Sequence, residues 1–324
     1  MDTMKLLWIA VAFLLDWLLG DPYSWPHPVK VIGNYISFFQ KQWLTDKLSE
    51  KKKFYLGIIL WFSTVILTIV TTYGLLKITS KIHPLLGIIT YIYLSYTTLA
   101  TKSLALEGKK VYDKLAHGTL TEARAQVAMI VGRDTSELTK AEITNATIET
   151  IAENASDGVI APLLCLMIGG PVLALTYKAV NTLDSMVGYV TPKYRAIGCF
   201  SAKMDDLWNL IPARVTWFLL LLASGLLGMN LRNAFKVGCR DCRKHKSPNS
   251  GFPESVAAGA LEIQLGGTHI YHGVEIYKPH IGSPLKEVAI TDILKMNRLL
   301  YMTAFLGLIS FSGIWLLLQQ IILK

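Results

Sequence analysis

The feature that most limits what this chain can fold into is a series of apolar runs close to 20 residues long. They fall at residues 6–19, 54–76, 84–100, 159–179, 211–231 and 299–323. A helix of about 20 apolar residues crosses the roughly 30 Å hydrocarbon core of a bilayer, where every backbone polar group must find its partner within the helix. The sequence therefore predicts an all-α, polytopic integral membrane protein, a single membrane domain over 1–324. It has five or six spans and polar helical loops on the cytoplasmic side. Composition agrees, since 17% of residues are charged against about 25% in ordinary soluble domains. No small-residue cleavage site follows 6–19, so that run reads as a retained anchor.

The net charge of +9 follows from the positive-inside rule, with attraction to anionic lipid as a second cause. Most Lys and Arg fall in the first, third and fifth loops, which places those loops in the cytoplasm and both termini outside. No basic stretch interleaves with aromatics, so nucleic acid is not an expected partner. Four cysteines give no disulfide framework. Cys239 and Cys242 form a lone Cys-x-x-Cys with no second pair, so zinc would lack ligands.

The densest acidic pattern precedes the fourth run. Read as a helix, Glu142, Asn145, Glu149 and Glu153 share one face, and Asp157 extends it. Ile143, Ile148, Ile151 and Ala155 lie away from that stripe. Three carboxylates within residues 149–157 repel one another unless Mg²⁺, an amine or an Arg sits among them. A solvated helix face would carry the same pattern. The position at a membrane edge, where charge is costly, favours a functional reading.

Other polar groups gather near membrane boundaries. His27 stands between Pro26 and Pro28 on a stiff backbone, either as the rigid exit of the first span or as a placed ligand. Thr119 or Thr121 suggests a cap for the helix carrying Arg124. Arg133 and Asp134 sit at a break where they could contact phosphate, and Asp134 reads equally well as a cap. Asn181 and Asp184 share a helical face, and Asp205, Asp206 and Arg214 form a further group, with snorkelling as the alternative for Arg214. Lys244, His245, Lys246, Asn249 and Ser250 make a basic, donor-rich turn suited to phosphate or carboxylate. Gly169-Gly170-Pro171 reads as a kinked span or as a re-entrant pair of half-helices. The first reading puts 181–209 outside. The second returns it inside but moves the loop after the fifth span out, and the sequence leaves both open.

Several motifs in this order resemble the cobalamin-biosynthesis CobD/CbiB family, the adenosylcobinamide-phosphate synthases. They are Gly20-Asp21-Pro22 with His27-Pro28-Val29; Val131-Gly132-Arg133-Asp134; residues 149–162; residues 178–189; Asp205-Asp206 through Arg214; Ser247-Pro248-Asn249-Ser250-Gly251 with Glu254; and Leu265-Gly266-Gly267. The resemblance runs over nearly the whole chain. It implies an amide ligase that joins a propionate of adenosylcobyric acid to aminopropanol or its O-phosphate. ATP and Mg²⁺ are expected, and cobalt travels only within the corrinoid substrate. On this reading Glu149, Glu153 and Asp157 bind Mg²⁺ or the amine, one of them acting as base, and Asp184, Asp205 and Asp206 are second metal candidates. Lys244, His245, Lys246 and Arg214 neutralise phosphate, while Asn154, Asn181, Asn249 and Ser250 position substrate and His27 faces the corrinoid. The expected setting is the cell membrane with the site on the cytoplasmic side, in contact with other corrinoid-pathway enzymes. A membrane transporter for a corrinoid or another anion, and a non-catalytic assembly subunit, are the alternatives.

Overall fold

Apolar runs of this length leave the backbone little choice but helix, and helices dominate the structure, a computed structural model. It describes residues 3–22, 24–45, 47–271 and 274–322. The elements are α1 (Thr3–Leu19), α2 (Pro28–Trp43), α3 (Glu50–Ile82), α4 (Pro84–Tyr96), α5 (Thr101–His117), α6 (Leu120–Val127), α7 (Lys140–Asn154), a π-helical turn (Ala155–Ile160), α8 (Ala161–Val187), α9 (Cys199–Trp208), α10 (Leu210–Leu226), α11 (Leu231–Asp241), α12 (Gly251–Leu261), β1 (Gln264–Tyr271), β2 (Val274–Gly282) and α13 (Thr291–Ile322). The all-helical expectation holds apart from the antiparallel β1–β2 hairpin. Together with α11 and α12, the hairpin occupies what reads in sequence as one long polar loop.

Three helical runs are long and apolar enough to cross a membrane: Glu50–Ile82, Lys140–Val187 and Thr291–Ile321. A fourth crossing is available if α9 and α10, bent by 47°, act as one span. The runs at 6–19 and 84–100 do form helices, but α1 has 17 residues and α4 has 13. At 1.5 Å per residue these extend about 25 and 20 Å, short of a roughly 30 Å core.

The chain gathers into two compact units. The first comprises Met1–Ala100, Ala161–Asn209 and Phe311–Lys324, and the second Thr101–Ile160 and Leu210–Ser310. In the first unit, Ile36 of α2, Leu60 and Trp61 of α3, Val180 and Leu183 of α8 and Ile197 form a buried apolar cluster. Helix α8 breaks where Gly-Gly-Pro predicted a kink or a re-entry: Gly170 has φ 64° and ψ −160°, and Pro171 follows inside the helix. A side chain there would also put a Cβ 2.8 Å from the Tyr91 hydroxyl.

In the second unit, two capping boxes start helices. Thr119 and Glu122 open α6, and Thr139 and Glu142 open α7. Ile143, Ala146, Ile148, Ile151 and Ala152 of α7 are fully buried, each Ile contributing about 1.5–3 kcal/mol. The acidic stripe thus has an apolar face opposite it, as the periodicity requires. Helix α12 is buried along almost its whole length, the signature of a central helix.

Replacing Gly170 by Ala combines a disfavoured φ with the Tyr91 clash. The expected cost is about 1–3 kcal/mol, read as a lowered midpoint of thermal unfolding in detergent. An unchanged midpoint would remove the structural role of the break.

Candidate active site

Arg133 and Glu149 are the charged core of the second unit. Glu149 sits two turns into α7, 4% exposed, and Arg133, 8% exposed, reaches it from the bend after α6. One guanidinium nitrogen of Arg133 donates to Glu149 Oε2. The other oxygen, Oε1, accepts from the Gly266 N–H at 2.9 Å. That N–H is available because the β1–β2 register slips between Leu265 and Gly267. Gly266 and Gly267 have φ of 84° and 108°, which a bulge with positive φ requires of its residues. The Leu-Gly-Gly motif is therefore the device that aims a backbone donor at Glu149.

One turn further along α7, Glu153 is half-buried and its Oε1 accepts from Ser250 Oγ at 2.7 Å. Ser250 immediately precedes α12, and the turn before it is held by Arg214 of α10. Arg214 donates to Asn249 Oδ1 at 2.8 Å and to the Pro248 carbonyl at 3.3 Å, and its guanidinium lies 4.0 Å above the Phe252 ring. Arg214 thus organises the turn rather than merely snorkelling. Asn154 spends its amide on the Thr150 carbonyl, and Asp157 lies half-buried in the π turn, a distortion frequent at functional sites.

Two groups near this pair have displaced proton affinities. Glu254, in the first turn of α12, is buried. Burial, then the neighbouring Glu149 and Glu153, raise its carboxyl well above the usual range, and Lys278 and Arg133 only partly oppose them. His245 moves the other way: burial and then Lys278 lower it, against Glu153 and Glu149. Its Nδ1 accepts from the Ser247 N–H at 3.0 Å, so the neutral ring presents Nε2–H as a donor. His245 accordingly enters as a neutral group, not as the phosphate-neutralising cation the sequence suggested. The formal charges of Arg133 and Lys278 match those of Glu149 and Glu153, and both Glu254 and His245 shift toward their uncharged forms.

Asp241 anchors the loop that carries His245. Its fully buried carboxylate accepts from Arg240 at 2.7 and 2.6 Å and from the Gly282 N–H at 2.8 Å, and it pairs with Lys244 at 2.7 Å. Lys244 is thereby committed to Asp241, while Lys246 is exposed. Burial acts to raise the Asp241 pKa, but the hydrogen bonds from Arg240, Lys244 and Gly282 outweigh it and hold the pKa at about 2.

Five of the residues singled out in sequence lie in the first unit. Asp205 accepts from Asn181 Nδ2 at 3.3 Å and from Asn209 Nδ2 at 3.0 Å, and Asn209 accepts from the Tyr177 hydroxyl at 2.7 Å. Asp184 and Asp206 are half-buried. His27 caps α2, its Nδ1 accepting from the Val29 N–H at 3.3 Å with Nε2 3.5 Å from Asp21. It also lines an apolar pocket of about 440 Å³ with Pro26, Val31 and Tyr93. Among the described residues no three His, Cys, Asp or Glu side chains converge as a metal cage. Both oxygens of Glu149 are already engaged, by Arg133 and by the Gly266 N–H.

Sequence reasoning did not commit Arg133, Glu254, Lys278 or Asp241 to the site. Arg133 and Glu254 stood inside quoted motifs and were within reach. Lys278 and Asp241 are isolated charges in polar stretches, with no spacing to mark them.

The fold and this cluster define a helical membrane protein with a buried cluster of charged side chains in its second unit. The chain belongs to the CobD/Cbib protein family, whose model matches residues 9–300. It is 56% identical over 319 residues to a Streptococcus sanguinis protein, covering 98% of this chain and 99% of the relative. A Listeria monocytogenes protein is 52% identical, covering 97% of this chain and 100% of its own, and one from Clostridium perfringens is 43% identical, covering 97% and 99%. All three are named Cobalamin biosynthesis protein CobD. No solved structure matches the chain significantly.

Asp241→Asn should destabilise the unit by about 1–3 kcal/mol, since the amide leaves one acceptor oxygen and no negative charge for the Gly282 N–H and two cations. A depressed native pKa contributes stability above the unfolded value, near 3.9, and loses it as pH falls toward about 2. The gap between wild type and variant, measured by thermal unfolding, should hold from pH 7 to pH 5 and close as pH drops below 4. A gap that stayed constant down to the lowest pH at which the protein folds would contradict the assignment.

Proposed function

We propose that this protein is an ATP-dependent amide ligase of cobalamin biosynthesis, joining a corrinoid propionate to aminopropanol or its O-phosphate at the cytoplasmic face of the cell membrane. The relatives' names support the pathway. The observation that carries the chemistry is the Glu254–His245 pair, a carboxyl pushed up and an imidazole pushed down in one buried site. General acid–base catalysis works best with groups whose pKa values approach the working pH. Amide formation needs such groups, because the attacking amine must give up a proton and the departing oxygen must have its charge compensated.

ATP with Mg²⁺ would convert the propionate to an acyl phosphate, making a poor electrophile reactive. Glu153 and Asp157 are the carboxylates of the second unit placed to hold Mg²⁺ or the amine, and Asp184 and Asp206 are the corresponding candidates of the first. Glu149, locked between Arg133 and Gly266, positions rather than reacts. Glu153 or Asp157 accepts the amine proton, neutral His245 donates a hydrogen bond from Nε2–H, and Glu254 in its protonated form donates a hydrogen bond to developing charge. Lys246 and Lys278 supply positive charge for phosphate. Asn249, Ser250 and Asn154 of the second unit orient substrate, and Asn181 is the corresponding candidate of the first. His27, beside its apolar pocket, faces the corrinoid. Other corrinoid-pathway enzymes are the partners this role implies.

The test is a product assay on membranes carrying the protein, given adenosylcobyric acid, ATP, Mg²⁺ and aminopropanol with or without its phosphate. The expected product has the mass of the amide, depends on ATP, and identifies the amine. Glu254→Gln should lower turnover by about 10²–10⁴-fold in protein that still folds. Absence of product with either amine from folded protein would overturn the ligase reading. Full activity of Glu254→Gln would remove the proton-exchange role.

A further inference from the structure

The second unit carries another charged pocket, at the opposite end of α12. Glu254 lies in the first turn of that helix and Glu262 is its C-cap, about 12 Å further along at 1.5 Å per residue. The pocket there measures about 590 Å³, and its walls include Gly228, Asn230, Glu262, Lys286, Lys295 and Arg298. Lys286 and Lys295 share one buried carboxylate, Asp292, at 2.6 and 2.8 Å. Arg298, one turn beyond Lys295 on α13, is exposed and makes no ion pair among the described residues. Glu262 Oε1 accepts from Asn230 Nδ2 at 2.6 Å. Its backbone is held at φ 61°, where non-glycine residues are uncommon. Three cations against two acids leave the pocket positive.

An apolar groove of about 470 Å³ is lined by residues that neighbour this pocket's in the chain. It is lined by Phe218, Leu222, Gly225 and Leu226 of α10, by Leu231 and by Leu306 of α13. The two are continuous along the chain, with Leu226 passing into Leu227 and Asn230 into Leu231. Helix α13 and the bent α9–α10 pair are among the segments able to enter a bilayer. A positive pocket and an apolar groove whose walls adjoin in the chain on such helices match an ionic head and an acyl tail. A free phosphate would fill the pocket and leave the groove unused. We infer that this unit binds an anionic phospholipid, with its phosphate beside Lys295 and Arg298 and an acyl chain along α10 and α13.

The whole protein, purified in mild detergent, would be titrated with phosphatidylglycerol and with phosphatidylcholine of the same chains, and bound lipid counted by native mass spectrometry. Phosphatidylglycerol should bind as a discrete adduct in preference to phosphatidylcholine, and millimolar inorganic phosphate should not displace it. Arg298→Gln should weaken that binding about fivefold, the effect of about one basic residue at an anionic surface. Leu226→Asp, which puts an acid at the junction of head and tail sites, should weaken it at least as much. Circular dichroism and thermal unfolding without lipid would confirm that both variants fold. Equal binding of the two lipids, or undiminished binding by folded Arg298→Gln, would overturn the inference. Full displacement by inorganic phosphate would overturn it too, making the pocket a site for free anions.

Discussion

The burial of Glu149 against Arg133 is the constraint from which the rest of the second unit follows. Removing two charges from water costs several kcal/mol per ion even after relaxation, and only close geometry with every lone pair used repays it. Arg133 takes one carboxylate oxygen and the Gly266 N–H the other. Satisfying the second oxygen requires the bulge at Gly266-Gly267, and the bulge sets the register of the hairpin. The same hairpin carries Lys278 and ends at Gly282, whose N–H meets Asp241. Asp241 in turn holds Lys244 and the loop with His245. One buried ion pair thus propagates through backbone donors to the loop that carries His245.

With those charges fixed, a further carboxyl nearby cannot ionise cheaply. Glu254 answers by holding its proton, and His245 by losing its charge. The division of labour among four carboxylates and one imidazole comes from position, not residue type. Glu149 is saturated, Glu153 holds Ser250, Glu254 is neutral, and Asp241 is pinned by Arg240 and Lys244. Only an arrangement with both ionised and neutral members in one place can balance its charge and still move a proton.

Much of this was legible in the sequence where physics acts locally. The acidic stripe with Ile143, Ile148 and Ile151 behind it marks α7 because helical periodicity is a short-range signal. Gly169-Gly170-Pro171 announces its break because essentially only glycine accepts the φ 64°, ψ −160° combination it takes. What stayed hidden depends on distant pairing. Asn181 and Asp184 share a helical face as expected, yet the hydrogen-bond partner of Asn181 is Asp205, and Asn209 ties the same carboxylate to Tyr177. Arg133 looked like a surface phosphate contact because sequence does not show that Glu149 points inward. The hairpin escaped because its Gly-Gly bulge reads as a loop, and the runs at 6–19 and 84–100 read as spans although their helices are short.

The central claim is that Glu254 is a neutral carboxylic acid at neutral pH while its neighbours are charged. Infrared difference spectroscopy on the purified protein, comparing wild type with Glu254→Gln at pH 7, reads this directly. The account predicts a protonated-carboxyl carbonyl band in wild type that is missing from the variant. A wild-type spectrum at pH 7 with no such band, only carboxylate absorption at this residue, would contradict it.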